Sequence, residues 1–280
     1  MNESEKKELQ IIACKVRLGI LEGVFNAKSG HPGGSLSIAD ILTYLYFKQM
    51  RVDPSNPRWE DRDRLVLSKG HVAPALYSVL AHKGFFDTDL LKTLRKIDSN
   101  LQGHPSMHLT AGVDMSTGSL GQGLSVAVGM ALAAKVDEKD YKTYAILGDG
   151  EIQEGQIWEA AMFAGAKKLD SLIAVLDNND LQIDGSIAEV NSPYPLAEKF
   201  VAFGWRVIEI DAHDFDQIAS AFEKANERVG KPTIIIAKSV KGKGVSFMEN
   251  DYKWHGTAPN AEQYEQAVSE IKAVLNSLEA

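Results

Sequence analysis

Cysteine is almost absent from this chain: Cys14 stands alone among 280 residues, so no intrachain disulfide can form. It lies in the apolar helical stripe Leu9, Ile12, Val16, Leu18, which predicts a buried structural thiol rather than a reactive one. An excess of positive charge is lacking as well. Thirty Lys and Arg against 38 Asp and Glu leave a net charge of −8, which argues against nucleic acid or an anionic membrane as the main partner. A locally basic pocket for a phosphorylated ligand remains compatible with it. No stretch approaches the roughly 18 apolar residues of a membrane span. The N-terminus, Met-Asn-Glu-Ser-Glu-Lys-Lys-Glu, has no apolar core of a signal peptide. These absences predict a soluble, cytoplasmic protein. Repeats, low-complexity segments and interdomain linkers are also missing, so one domain over residues 1–280 is the simplest expectation.

What is present divides into two textures. The first half is helix-rich. Residues 3–27 carry apolar side chains at helical spacing and stop at Lys28-Ser29-Gly30. A Gly/Pro loop at 30–34 precedes a second expected helix through Ile38–Leu45, and the proline-broken stretch 51–64 reads as a surface excursion before a short strand at 64–68. From residue 119 the pattern becomes α/β. The runs Thr143–Leu147 and Ser171–Leu176 are continuously apolar, as central parallel strands buried on both faces are. A helix over 153–168 connects them, and 121–134 reads as another. Two further strands, 205–210 and 233–237, flank a helix over 215–229, and a last helix spans 261–278. Alternating strands and helices predict a doubly wound, mainly parallel sheet flanked by helices.

Ligands of such sheets sit beyond the C-terminal ends of the strands. The two central strands run out into Gly148-Asp149-Gly150-Glu151 and Asp177-Asn178-Asn179-Asp180. The crossover between them puts Asp149 and Asn179 at one sheet edge. Mg2+ takes hard oxygen ligands and retains phosphate and water in its shell. Asp149 offers a carboxylate, Asn179 an amide oxygen, and the turn carbonyl of Leu181 a third donor. Gly148 and Gly150 let a bulky anion approach the backbone, and the helix expected to start nearby favours a diphosphate. Gly-Asp-Gly alone is also an ordinary turn; the second loop, one crossover away, makes the pair informative. No Gly-x-Gly-x-x-Gly opens a helix after the first strand, since Gly118–Gly123 is only superficially similar, and no Walker-type Gly-Lys-Ser/Thr occurs.

Seven histidines occur, four of them beside glycine or proline in loops: His31, His71, His104 and His255. Imidazole at its unperturbed pKa of about 6.5 can donate to phosphate or exchange protons with a hydroxyl. The four are too scattered in the chain to show zinc-ligand spacing, and no cysteines accompany them. His82, His108 and His213 match no motif and are taken as structural or surface residues.

The motifs Ser29-Gly30-His31-Pro32-Gly33-Gly34-Ser35, Ser68-Lys69-Gly70-His71, Gly103-His104-Pro105, Thr117–Gly123, Gly148–Glu151 with Glu154-Gly155, Leu181–Gly185 and His255-Gly256 occur in an order that resembles the N-terminal, diphosphate-binding domain of transketolase, nearly end to end. The resemblance implies a thiamine-diphosphate-binding fold, with thiamine diphosphate and Mg2+ as cofactors. It implies that Asp149, Asn179 and Leu181 hold the metal, and that His71, Gly118, Leu120, Gly150, Asn179 and His255 bind the cofactor. His31, His104 and His255 would handle the substrate, His104 through the hydroxyls of the transferred two-carbon ketol unit. Two positions depart from the pattern. Ser119 stands where proline is frequent, and Lys69 replaces an asparagine of some relatives, as either a charge near the phosphates or an exposed lysine with no role.

In this family the glutamate that activates the cofactor's aminopyrimidine lies on a separate domain, for which residues up to Ala280 leave no room. The resemblance therefore implies the N-terminal subunit of a split transketolase, inactive alone and completed by a C-terminal chain carrying the pyrimidine-binding domain, as a heterotetramer acting on sugar phosphates of the pentose phosphate pathway. The alternatives are a subunit of a specialised sugar transketolase, a 1-deoxyxylulose-5-phosphate synthase-like fragment, the alpha subunit of a 2-oxo acid dehydrogenase, and a noncatalytic assembly subunit.

Overall fold

The computed structural model describes residues 1–280. Its centre is a five-stranded, wholly parallel sheet. Strands β1 (Arg64–Leu67), β2 (Thr143–Gly148), β3 (Leu172–Asn178), β6 (Arg206–Asp211) and β7 (Thr233–Lys238) stand in the order β1-β2-β3-β7-β6. A small antiparallel hairpin, β4 (Leu181–Gln182) with β5 (Gly185–Ser186), follows β3 directly. The helices are α1 (Glu3–Ala27), α2 (Pro32–Ser37), α3 (Ala39–Tyr44), α4 (Ala73–Lys83), α5 (Gln122–Val136), α6 (Gly155–Ala166), α7 (Ile187–Asn191), α8 (Leu196–Ala202), α9 (Phe215–Asn226) and α10 (Ala261–Glu279).

Both faces of the sheet are covered, and the strand period of two decides which residue enters which core. Tyr144, Ile146, Ile173, Val175 and Ile235 point into the larger core beneath α1, α3, α4 and α9. Their neighbours Ala145, Leu147, Ala174, Leu176 and Ile234 enter the second core beneath α5, α6 and α8. This double burial explains the unbroken apolar runs of β2 and β3. No helix is long and apolar enough to cross a membrane, and Cys14 is buried.

Helix α1 occupies the expected residues because its ends are specified locally. Asn2 and Glu5 form a reciprocal capping box, and Lys28 closes the helix in the left-handed conformation at φ 50°. Three expectations need correction. The segment 30–34 is not all loop: α2 begins at Pro32, whose fixed φ suits a first helical position. The helix expected over 38–45 is α3, and it runs further than expected, passing into a π turn over Leu45–Gln49. The helix expected from 153 begins at Gly155, after a 3-10 turn over Glu151–Gln153. Trp205 precedes β6 and is buried, its indole N–H donating to the carbonyl of Ala161 at 2.8 Å.

Candidate functional site

The register β2 to β3 pairs Gly148 with Asp177, so both strands end at one level and release their loops side by side. The Asp149 carboxylate accepts from the backbone N–H of Gly150 at 2.9 Å and of Asp180 at 2.6 Å, tying the two loops together. Asn178 adds a side-chain N–H at 3.3 Å. Burial, reinforced by the nearby charge of Asp177, raises the Asp149 carboxyl to about 6. A carboxylate in that position is stabilised by a cation.

Asp177, wholly buried, organises the next layer. It is paired with the Lys69 ammonium and accepts from the Ser37 hydroxyl at 2.7 Å and from the Ser239 hydroxyl. Burial pushes its carboxyl up, but Lys69 and these hydroxyls outweigh that and hold it low. It also accepts from the Asn179 amide nitrogen at 3.2 Å. That bond fixes the amide orientation, and Asn179 Oδ1 accepts the N–H of Leu181 at 3.2 Å. Lys69 is therefore buried and paired, which corrects the expectation of an exposed lysine.

A cleft at this edge is lined by Asp149, Gly150, Asn179, Leu181, His71, Leu120 and His255, and by Gly34, Lys69, Gln182 and Lys241. Seven expected site residues thus meet in one place. Gly150 has φ −70°, so its backbone needs no glycine; a Cβ would lie 3.3 Å from the Gln182 side chain, a tight contact. The first turn of α6 does not line the cleft, so the expected contribution of that helix terminus is confined to the short turn before it.

His31, His104 and Gly118 lie beside the cleft rather than in its wall. The ring of His31 packs edge-on to His71 and His255 at centroid distances of 5.1 and 5.4 Å, and His71 stacks on His255 at 5.1 Å. His104 is exposed, its ring against Gly118, whose φ of 148° and contact (a Cβ would sit 2.9 Å from the imidazole) both require glycine. Gly70 meets the same loop, a Cβ there falling 2.7 Å from the N of Gly118. Ser119 is exposed and nothing in the structure distinguishes it from proline.

Burial, with Arg95 and Lys241 nearby, lowers His31 to about 4, and burial with Lys241 lowers His255 to about 3. His71 is pushed well below its ordinary value by burial and Lys69. All three imidazoles are neutral at pH 7. An NMR titration of the cofactor-free chain should find none of the three charging between pH 8 and about 5.5, whereas an ordinary midpoint near 6.5 would contradict the geometry.

Two observations bear on whether a diphosphate and a metal fit. His31 Nδ1 and Gln182 Nε2 are buried without a protein partner, a situation costing about 1–3 kcal/mol each unless a ligand supplies one. The donor set of carboxylate, amide oxygen and carbonyl is that of Mg2+. No group of three or more His, Cys, Asp or Glu side chains is arranged to hold a metal ion.

Lys241 is a site residue that motif reading missed, and Glu151 and Asp177, though within the quoted motifs, were given no role there. Lys241 is buried, donates to the carbonyl of Leu181 at 3.0 Å and meets His255 Nδ1 at 3.1 Å. Burial lowers it to about 8. Its signal was the Lys241-Gly242-Lys243-Gly244 run just after a strand. Glu151 accepts from the backbone N–H of Gly121 and of Gly148, both at 3.0 Å, fastening the Gly118–Gly121 loop to the site. A larger open cleft of about 740 Å3 adjoins along β6 and β7, sharing Asn179 and Leu181. It holds none of the four loop histidines, and the convergence of donors favours the smaller one.

Comparison with known proteins agrees with this geometry. Residues 9–273 match the family described as transketolase, thiamine diphosphate binding domain. The chain is 51% identical over 265 residues to the 6-deoxy-6-sulfo-D-fructose transketolase subunit SqwG of Clostridium sp. (strain MSTE9), covering 95% of this chain and 96% of that protein. It is 46% identical over 271 residues to an apulose-4-phosphate transketolase subunit of Phocaeicola vulgatus, covering 97% of this chain and 96% of that protein. Transketolase from Campylobacter jejuni superposes with a TM-score of 0.90 at 36% identity, covering 99% of this chain but 46% of that one. The chain spans about half the length of the solved transketolases it matches. A parallel sheet with the expected cleft at its edge, matched in sequence over nearly its whole length, identifies the chain as a member of the transketolase family, corresponding to its thiamine-diphosphate-binding domain.

Proposed function

We propose that this chain is the diphosphate-binding subunit of a two-chain transketolase, which moves a two-carbon ketol unit from a ketose phosphate to an aldose phosphate. The observation that carries the reading is the meeting of Asp149, Asn179 and the Leu181 carbonyl with His71, His255 and Lys241 in one cleft beyond β2 and β3. Thiamine diphosphate, when bound, supplies the carbon nucleophile that takes up the ketol unit.

The chain's own residues have separable tasks. Asp149, Asn179 Oδ1 and the Leu181 carbonyl hold Mg2+, with Asp177 keeping the Asn179 amide turned the right way. Lys241, Lys69 and His71 offer positive charge and N–H donors to the diphosphate, Gly150 and Leu120 shape the wall, and Gly118 belongs to the loop beside it. His31 and His255, neutral and partly buried, accept or return protons at the substrate carbonyl and hydroxyl. His104, outside this trio, binds the hydroxyls of the transferred unit. Replacing His104 with Ala should therefore raise KM for the ketose about tenfold or more while leaving thiamine diphosphate affinity unchanged; a fall in cofactor affinity of the same size would remove His104 from the substrate side.

The partner in this proposal is a C-terminal chain bearing the pyrimidine-binding domain and its activating glutamate, two copies of each forming a heterotetramer in the cytoplasm. Relatives that match this chain over nearly their whole length are themselves named as transketolase subunits. Those names also favour a second reading, a sugar transketolase specialised outside the pentose phosphate pathway, since one is named for a sulfonated fructose and the other for apulose 4-phosphate. The test is an assay of the reconstituted pair with ribose 5-phosphate as acceptor and, as donors, xylulose 5-phosphate, 6-deoxy-6-sulfofructose and apulose 4-phosphate in parallel. Turnover of the first supports the general enzyme, turnover of one of the others alone supports the specialised one, and full activity of this chain without a partner would contradict the split.

A further inference from the structure

Arg17 and Asp40, both buried, form with the partly buried His213 a network that none of the expected site motifs includes. The Arg17 guanidinium makes a two-pronged pair with Asp40, Nη1 to Oδ1 at 2.8 Å and Nη2 to Oδ2 at 2.7 Å. His213 Nδ1 lies 2.7 Å from the same Oδ2. The tautomer of His213 follows from its other nitrogen, because Nε2 accepts the backbone N–H of Val240 at 2.9 Å and so carries no proton. Nδ1 therefore carries the proton and donates to Asp40. Burial pushes the Asp40 carboxyl up, but Arg17 and His213 outweigh it and hold the group ionised.

The network has two outlets, and both are backbone atoms of a single loop. His213 takes the N–H of Val240, and Arg17 Nε donates to the carbonyl of Lys243 at 3.1 Å. Between these two points lies Lys241, the cation that reaches the diphosphate cleft. The loop has other bonds as well: Gly242 N–H donates to the carbonyl of Gly33, Asn250 N–H to that of Lys241 and Gly244 N–H to the Glu249 carboxylate, each at 2.9 Å. Gly242 and Gly244 sit at φ 80° and 95°, and a Cβ on Gly244 would lie 3.3 Å from the Arg17 side chain. A loop with two left-handed glycines is held by what it is bonded to rather than by its own sterics.

We propose that Arg17, Asp40 and His213 are positioning residues that clamp the Val240–Lys243 backbone on both sides of Lys241 and so hold its ammonium in the diphosphate cleft. The inference rests on the cofactor reading above for what Lys241 meets, but the clamp itself does not depend on it. A merely structural network would support folding without affecting the cleft. A clamp predicts that loosening one outlet frees the loop and weakens cofactor binding while the fold stays intact.

The test uses His213→Phe, which fills the space without either hydrogen bond, and His213→Gln, which can both donate to Asp40 and accept from Val240. Hydrogen exchange of the cofactor-free full chain reads the loop amides, and calorimetric titration with thiamine diphosphate and Mg2+ reads the cleft. The expected result is faster exchange at 240–244 in the Phe variant and affinity about tenfold weaker, as loss of a group that orients a ligand commonly gives, with both restored in the Gln variant. Unchanged exchange in the Phe variant overturns the clamp. Faster exchange with unchanged affinity overturns the positioning of Lys241, as does an affinity loss that Gln does not rescue. If the unmutated chain takes up no thiamine diphosphate either alone or reconstituted with its partner, the cofactor reading fails, and the exchange measurement, which needs no cofactor, still decides the clamp.

Discussion

Changing Asp149 to Asn should abolish magnesium-dependent binding of thiamine diphosphate and at the same time make the metal-free chain more stable. The first half follows from chemistry: Asp149 is the one carboxylate in the donor set proposed for the metal, and removing it should cost at least about a hundredfold in affinity, beyond what loss of a ligand's supporting partner costs. The second half follows from electrostatics. Burial and the charge of Asp177 raise the Asp149 carboxyl to about 6, so without a cation the ionised form is disfavoured in the folded chain.

The sign of the pH dependence follows from that shift. A carboxyl raised above its unfolded value near 3.9 favours the fold while protonated, and that contribution is lost as pH rises toward and through 6. Wild type and Asp149→Asn should therefore be equally stable near pH 4 in chelator and diverge above it, the variant gaining about 2–3 kcal/mol by pH 7. The neutral histidines contribute in the opposite direction over part of this window, which is why the difference between the two proteins is the quantity to measure. Urea unfolding at several pH values in chelator reads it directly. A variant less stable than wild type at pH 7 would mean that the bonds from Gly150 and Asp180 outweigh the buried charge.

Lys69→Met should have the opposite effect on stability and a comparable size. Lys69 and Asp177 are an ion pair with 3% and 0% of their side chains exposed. Removing one member leaves the other's charge buried without its counterion, which costs about 3–5 kcal/mol. Asp177 keeps its hydroxyl and amide donors, so the loss should fall toward the lower end of that range. The double variant Lys69→Met, Asp177→Asn removes both charges and should recover most of it. The urea midpoint would fall without a change of slope. A loss below about 1 kcal/mol would show that the pair with Asp177 contributes little to the fold.

Sequence carried much of the fold because β2 and β3 are buried on both faces and advertise this as unbroken apolar runs. It was less informative where local chemistry and packing compete. The Gly-Pro run at 30–34 has loop composition, yet Pro32 opens a helix pressed against α4 and the Trp254 turn. Helix α4 has no polar face to give it a period, every residue from Ala73 to Ala81 being buried. In the site, Asp149, Asn179 and Leu181 were legible because one crossover separates them and their strands are neighbours in both chain and sheet. Lys241 was not, because its proximity depends on β7 entering the sheet between β3 and β6, an order that motif spacing along the chain does not reveal. His213 was set aside for the same reason, its partners lying 173 positions away at Asp40 and 27 away at Val240.

The central claim is that this chain grips the diphosphate end of the cofactor through a magnesium ion. Calorimetric titration of the chain with thiamine diphosphate and with thiamine, each with Mg2+ and with chelator, tests it most directly. The account predicts heat of binding only for thiamine diphosphate with Mg2+, and its loss in Asp149→Asn. Equal binding of thiamine, or binding of thiamine diphosphate that survives both the chelator and the substitution, would contradict it.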